Sequence, residues 1–98
     1  MDTREAILNT LTLYFRTNKE KYGLIKMGLF GSYVRNENND DSDIDIGIEL
    51  KKSNFFVRMQ IKEELEKLYN RSVDVISLKS LMNPYFSKEI NKDIVYVE

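Results

Sequence analysis

Lys26-Met27-Gly28-Leu29-Phe30-Gly31-Ser32 and, ten residues further on, Asp43-Ile44-Asp45-Ile46-Gly47-Ile48-Glu49-Leu50 are the stretches that decide the fold of this chain. The first reads as a short buried strand ending in a turn at Gly31-Ser32. The second alternates like a strand with one buried face. Successive strand side chains point to opposite faces, so Asp43 and Asp45 share one face while Ile44, Ile46 and Ile48 take the other. Two carboxylates side by side repel each other, an arrangement that is costly without a cation between them. Hard cations such as Mg²⁺ take oxygen ligands, usually one or two carboxylates plus substrate phosphates.

Around these stretches the chemistry gathers. Gly31-Ser32 is expected to open a short helix beginning near Tyr33 and ending near Arg35. A helix start offers unpaired N–H groups and the positive end of its dipole, and both attract anions. Glycine lets a phosphate come close to the backbone, and the Ser32 hydroxyl adds a hydrogen bond. Taken alone, a Gly-Ser pair is only a turn and a cap; the acid pair at a fixed distance gives it weight. Arg71–Ile76 reads as a further strand, with Asp74 at its centre between Val73 and Val75. Mid-strand aspartate is disfavoured and calls for a reason. If this strand lies beside the Asp43/Asp45 strand, three carboxylates converge, enough to hold two metal ions around a transferring phosphoryl group. Alone, Asp74 would read as an edge-strand charge or the partner of Arg71.

The rest of the chain supplies a scaffold. Asp2-Thr3-Arg4-Glu5 has a capping-box pattern, with Ile7, Leu8, Leu11, Tyr14 and Phe15 on one helical face and Gly23 as the stop. Leu24–Phe30 and Asp43–Leu50 are strands. Ser53 is expected to cap a longer helix with an apolar stripe of Val57, Ile61, Leu65, Leu68 and Tyr69. Ser77 caps a short turn, and Asn83-Pro84 opens a last helix. Strands alternating with helices indicate an α/β (α+β) architecture, a small mixed β-sheet packed with helices, in a single domain over residues 1–98.

Composition sets bounds. Of 98 residues, 42% are hydrophobic and 32% charged, the balance of a globular chain and not a disordered one. A net charge of −1 argues against a nucleic-acid surface built on bulk charge. With no cysteine and no histidine, thiol and imidazole chemistry are excluded, and carboxylates are left as the metal ligands of consequence. No long apolar run or signal peptide is visible, which gives a cytoplasmic expectation and no membrane partner.

Leu29-Phe30-Gly31-Ser32-Tyr33-Val34-Arg35, then Asp43-Ile44-Asp45, then Val73-Asp74-Val75 resembles the minimal nucleotidyltransferases of the DNA polymerase beta superfamily. All three blocks match in order and spacing, over most of the chain. Asn36 departs from the pattern, since many relatives have glycine there; asparagine also tolerates the left-handed conformation. The resemblance implies the nucleotidyltransferase fold and AMP transfer from ATP to a hydroxyl acceptor. Asp43, Asp45 and Asp74 would be catalytic and hold two Mg²⁺ ions, and Gly31, Ser32 and Arg35 would bind the nucleotide. Single-domain members of this kind commonly act as antitoxins that modify a tyrosine of a HEPN-domain ribonuclease toxin, which implies a hetero-oligomer. The rival readings are an antitoxin that binds by occlusion and a subunit of a small-molecule (antibiotic) nucleotidyltransferase.

Several residues carry two readings. Arg35 reaches the triphosphate or pairs with Asp41 or Asp43. Lys51 and Lys52 touch phosphates or simply solvate a strand end. Tyr33 is expected to be exposed beside the nucleotide site, and with Tyr85 and Phe86 it would then belong to an interface. Asp41-x-Asp43-x-Asp45 also resembles the start of an EF-hand loop, but Ile46 replaces the required glycine and Lys52 the bidentate glutamate, so that reading is discarded.

Overall fold

The computed structural model describes residues 3–80 and 92–98. Helix α1 (Arg4–Tyr22) leads into strand β1 (Leu24–Phe30); β2 (Ile44–Leu50), α2 (Phe55–Tyr69) and β3 (Val73–Ser77) follow. A 3₁₀ turn (Leu78–Ser80) and a two-residue strand β4 (Val95–Tyr96) complete the described elements. The expected mixed sheet is present, in the order β3-β2-β1-β4. β2 runs antiparallel to β1 and parallel to β3, and β4 is antiparallel to β1. A parallel pair requires a crossover, and α2 provides it between β2 and β3.

Each helix is ended by its sequence. Thr3 caps α1, its Oγ1 accepting from the Ala6 N–H at 3.1 Å, one position later than the expected Asp2 cap. Gly23 stops the helix as expected, in the left-handed region at φ 66° with its N–H returned to the Lys19 carbonyl. Asn54, and not Ser53, caps α2 through Oδ1 on the Val57 N–H. In both cases a chemically equivalent neighbour takes the role, because the cap is the residue whose backbone is still extended. The helix expected from Asn83-Pro84, and the side chains of Tyr85 and Phe86, lie outside the described residues.

Both helices pack on one face of the sheet. Ile7 and Leu11 of α1 and Ile61 and Leu65 of α2 meet Met27, Leu29, Ile44, Ile46, Ile48 and Val73, all at or below 2% exposure. Burying a side chain of this size contributes about 1.5–3 kcal/mol, so this layer is what orders the strands. The stripe expected on α2 needs one correction: Leu68 is 56% exposed. The stripe residues that pack on the core are Val57, Ile61, Leu65 and Tyr69, spaced at four-residue intervals. Tyr69 Oη closes the helix pair by donating to the Ile7 carbonyl at 2.8 Å. Glu64 adds a second tie, accepting from Tyr14 and Tyr22 hydroxyls at 2.7 Å each.

The opposite face carries the acids. Core-facing Ile44, Ile46 and Ile48 alternate with Asp45, Gly47 and Glu49 on β2, and Val73 and Val75 alternate with Asp74 on β3. Neither α1 nor α2 covers this chemistry-bearing side of the sheet.

Candidate active site

Register brings the acids together. Asp45 on β2 is the direct partner of Phe30 on β1 and of Asp74 on β3. Asp43 lies one residue before β2 begins, on the same side as Asp45 by strand alternation. Asp45 is half-buried while Asp43 and Asp74 are exposed. Burial first, and then the charges of Asp74 and Asp43, push the Asp45 carboxyl up from 3.8 to about 6; Arg35 pulls it the other way. Desolvation and like charges both disfavour an ionised carboxylate, so the row is an electrostatic well for a cation.

Among the described residues no three acids are drawn into a closed metal-holding cluster. The row is coupled pair by pair around Asp45 instead. Its donors are oxygen only, one of them is already short of a positive partner, and the outer two are open to solvent. Such a set fits a hard cation that keeps waters and substrate oxygens in its shell.

Gly31 touches this row directly. It sits at φ 82°, in the left-handed region. A Cβ there would overlap the Asp45 carboxylate, lying 3.0 Å from its Cγ and 3.2 Å from its Cβ besides the closer oxygen. Glycine is therefore required twice, by conformation and by the packing of Asp45. After it the chain makes a single turn through Asn36, with the Gly31 carbonyl accepting from Val34 and Arg35 N–H groups at 3.1 and 3.3 Å. This corrects the expected short helix. Asn36 takes the left-handed conformation expected of it, at φ 57°.

The tight turn also reverses the expectation for Tyr33. Its side chain is 1% exposed, directed into the core, with the Arg71 guanidinium 6.0 Å from the ring centre. It is not available to stack on a base at the surface. Ser32 is half-buried at the mouth of the turn, its carbonyl accepting from the Glu37 N–H at 2.9 Å.

Arg35 pairs with neither Asp41 nor Asp43. Its Nε donates to Glu37 at 2.5 Å and its Nη1 to Asp93 at 2.7 Å. Both acids raise its already high pKa, Glu37 more than Asp93. Glu37 could be found from local spacing. Asp93, 58 residues away, left no signal in the sequence. A second tie unseen in the sequence is Glu66, which accepts from the Val73 N–H at 3.0 Å and from Lys62 at 2.8 Å, securing the strand just before Asp74. Lys51 and Lys52 lie past the far end of β2, roughly 26–30 Å from Asp43 along the strand, in keeping with a solvated strand end.

A glycine turn packed on an acid row at one end of a mixed sheet is the plan of a nucleotidyl-transfer fold. The chain belongs to the family described as Polymerase beta, Nucleotidyltransferase, whose model matches residues 9–97. It is 34% identical over 98 residues to the protein adenylyltransferase MntA of Thermococcus cleftensis, covering 99% of this chain and 98% of that one. It is 39% identical over 100 residues to MJ1379 of Methanocaldococcus jannaschii, a candidate protein adenylyltransferase, over 99% and 100% of the two chains. Among solved structures, a toxin–antitoxin complex with AMP-PNP matches at TM-score 0.75 and 22% identity, over 91% of this chain and 70% of that one. The MNT antitoxin complex of the tri-AMPylated HEPN toxin of Shewanella oneidensis matches at TM-score 0.70 and 20% identity, over 96% and 71%. These two likenesses establish the fold. No helix of the described residues is long and apolar enough to cross a membrane.

Proposed function

We propose that this protein is an adenylyltransferase that moves AMP from ATP onto a hydroxyl, a tyrosine hydroxyl by preference, of a HEPN-type toxin, and thereby acts as its antitoxin. The observation that carries this reading is the Asp45–Asp74 pairing with Asp43 alongside and Gly31 packed against it. The adenylyltransferase relatives, similar over their full length, and the AMPylated toxin of the structural neighbour support the same reaction and partner.

In the reaction the acceptor oxygen attacks the α-phosphorus of ATP, the bond to the β-phosphate oxygen breaks, and pyrophosphate leaves. The turn at Gly31-Ser32 receives the β- and γ-phosphates. There the Ser32 hydroxyl donates to a phosphate oxygen, while the missing Cβ of Gly31 makes room for the Asp45 carboxylate beside it. Arg35 adds donors from the end of the same turn. Asp43, Asp45 and Asp74 would hold two Mg²⁺ ions, which when bound supply charge neutralisation and lower the pKa of a coordinated hydroxyl. Asp74 stands on β3, the edge strand of the described sheet, where an acceptor carried by another protein can reach it. It takes the hydroxyl proton as the new P–O bond forms. Such catalysis rests on positioning and electrostatics and needs no histidine. A cytoplasmic setting, with ATP and Mg²⁺ at hand, suits it.

Calorimetric titration of ATP-Mg²⁺ into the wild type and an Asp43→Asn/Asp45→Asn variant tests the site. The expected result is binding by the wild type only. Equal affinity in both would overturn the assignment of these acids.

A further inference from the structure

Gly28 and Gly47 are direct partners across β1 and β2, on the face opposite the helices. Side by side they leave a notch in the sheet, which the Ile94 side chain occupies over Gly28 and shares with Leu78 over Gly47. A Cβ on Gly28 would stand 2.8 Å from Ile94 Cγ1, and one on Gly47 would stand 3.4 Å from Ile94 Cδ1. Contacts this close mean that the side chain lies on bare backbone. The residues after it are tied down as well. Val95 and Tyr96 pair with Leu29 and Gly28, and Val97 donates its N–H to the Met27 carbonyl at 2.9 Å while its side chain is buried.

Asp93 immediately precedes this anchored run, so its position is fixed by the sheet. Its Oδ2 accepts from Arg35 Nη1 at 2.7 Å, while Glu37 accepts from Nε. A guanidinium has five N–H donors, and these contacts engage two of them. Exposed ion pairs of this kind add little to stability, so the pair needs another explanation. Arg35 belongs to the turn that starts at Gly31, against which Asp45 packs. An exposed arginine that orders only when a phosphate arrives loses side-chain freedom at that moment; carboxylates already holding it remove the loss.

We propose that Asp93 is a positioning residue for the nucleotide site: seated by Ile94 in the Gly28/Gly47 notch, it holds Arg35 beside the Gly31 turn in the pose that receives the triphosphate. This rests on the reading of Arg35 as a nucleotide ligand. The negative charge of Asp93 opposes a triphosphate, but it is paired with Arg35 and screened at the surface, so orientation outweighs repulsion.

The test is calorimetric titration of ATP-Mg²⁺ into the full chain as wild type, Asp93→Ala, Asp93→Asn, Arg35→Ala and the Arg35→Ala/Asp93→Ala double variant, with melting curves for each. Asp93→Ala should weaken ATP binding about five- to twentyfold with no matching loss of melting temperature. Asp93→Asn, which keeps an acceptor oxygen, should fall between Asp93→Ala and wild type, and the double variant should bind no worse than Arg35→Ala. Tighter ATP binding by Asp93→Ala would overturn the proposal, showing that Asp93 competes with phosphate for Arg35. So would an Asp93→Ala effect that persists undiminished without Arg35, which would mean that it acts through the fold. Wild-type affinity in Arg35→Ala, or no ATP binding by the wild type, would remove the underlying reading and the proposal with it. Weakened binding in Arg35→Ala but not in Asp93→Ala would overturn the positioning role alone.

Discussion

Asp45 and Asp74 are register partners across the parallel β2–β3 pair, so an acid inside the sheet has another acid as its in-sheet neighbour. Like charges directly opposite one another destabilise a sheet. Asp43 adds a third charge on the same side, and burial of Asp45 sharpens the conflict. The arrangement opposes folding and favours cation binding, which is the physical ground for reading it as a site.

That conflict gives a pH signature. The Asp45 carboxyl rises from 3.8 to about 6 in the folded chain. Between those values the native state keeps a proton that the unfolded chain has lost. Stability therefore falls as pH rises from about 4 to about 6, and the deficit is complete above that range. With the side chain partly open to solvent, the deficit is on the order of 1–2 kcal/mol after screening. In chelator-containing buffer, Asp45→Asn should match or exceed the wild type at pH 7 and lose this share of the pH dependence. A variant markedly less stable at pH 7 would mark Asp45 as structural.

Two glycines separate conformation from packing. Gly31 and Gly23 both have positive φ, at 82° and 66°. Only Gly31 faces an overlap with Asp45; at Gly23 a Cβ would meet Lys51 side-chain atoms at an ordinary 3.8 Å. Gly23→Ala should lose about 1 kcal/mol of stability and leave the site intact. Gly31→Ala should lose roughly 1–3 kcal/mol and also displace the Asp45 carboxylate, weakening Mn²⁺ binding. Denaturant melts with a Mn²⁺ titration would check this. Undiminished Mn²⁺ affinity in Gly31→Ala would contradict the packing argument.

Ser32→Ala should fold normally and bind its partner. Losing one hydrogen bond to a charged phosphate costs roughly 1.5–3 kcal/mol, about ten- to a hundredfold in transfer efficiency. The backbone of the turn remains, so activity should be reduced and not erased. An unchanged rate would make the Gly31-Ser32 turn a connection only.

Much of this architecture is legible in the sequence because it follows local periodicity. The Ile44/Ile46/Ile48 alternation, the Val73/Val75 flank around Asp74 and the Ile7–Phe15 helical face each specify which side is buried. Gly23 and Asn36 announce their left-handed backbones. The caps fall one residue later than expected because Asp2-Thr3 and Ser53-Asn54 each offer two chemically suitable residues. Tyr33 is misplaced because a six-residue turn has no period, and only the tertiary fold decides which way its side chain points. Strand β4 is two residues long and leaves no pattern either. The Arg35–Asp93 contact joins positions 58 residues apart, which no local rule encodes.

The central claim is transfer of AMP to a partner protein through the acid row. Its most direct measurement is the intact mass of the cognate HEPN-type toxin after incubation with this protein, ATP and Mg²⁺. The toxin should gain increments of about 329 Da, one AMP residue each, with the wild type and none with Asp43→Asn/Asp45→Asn, and ribonuclease activity should be lost only in the first case. A toxin neutralised equally by both proteins, with its mass unchanged, would contradict the account.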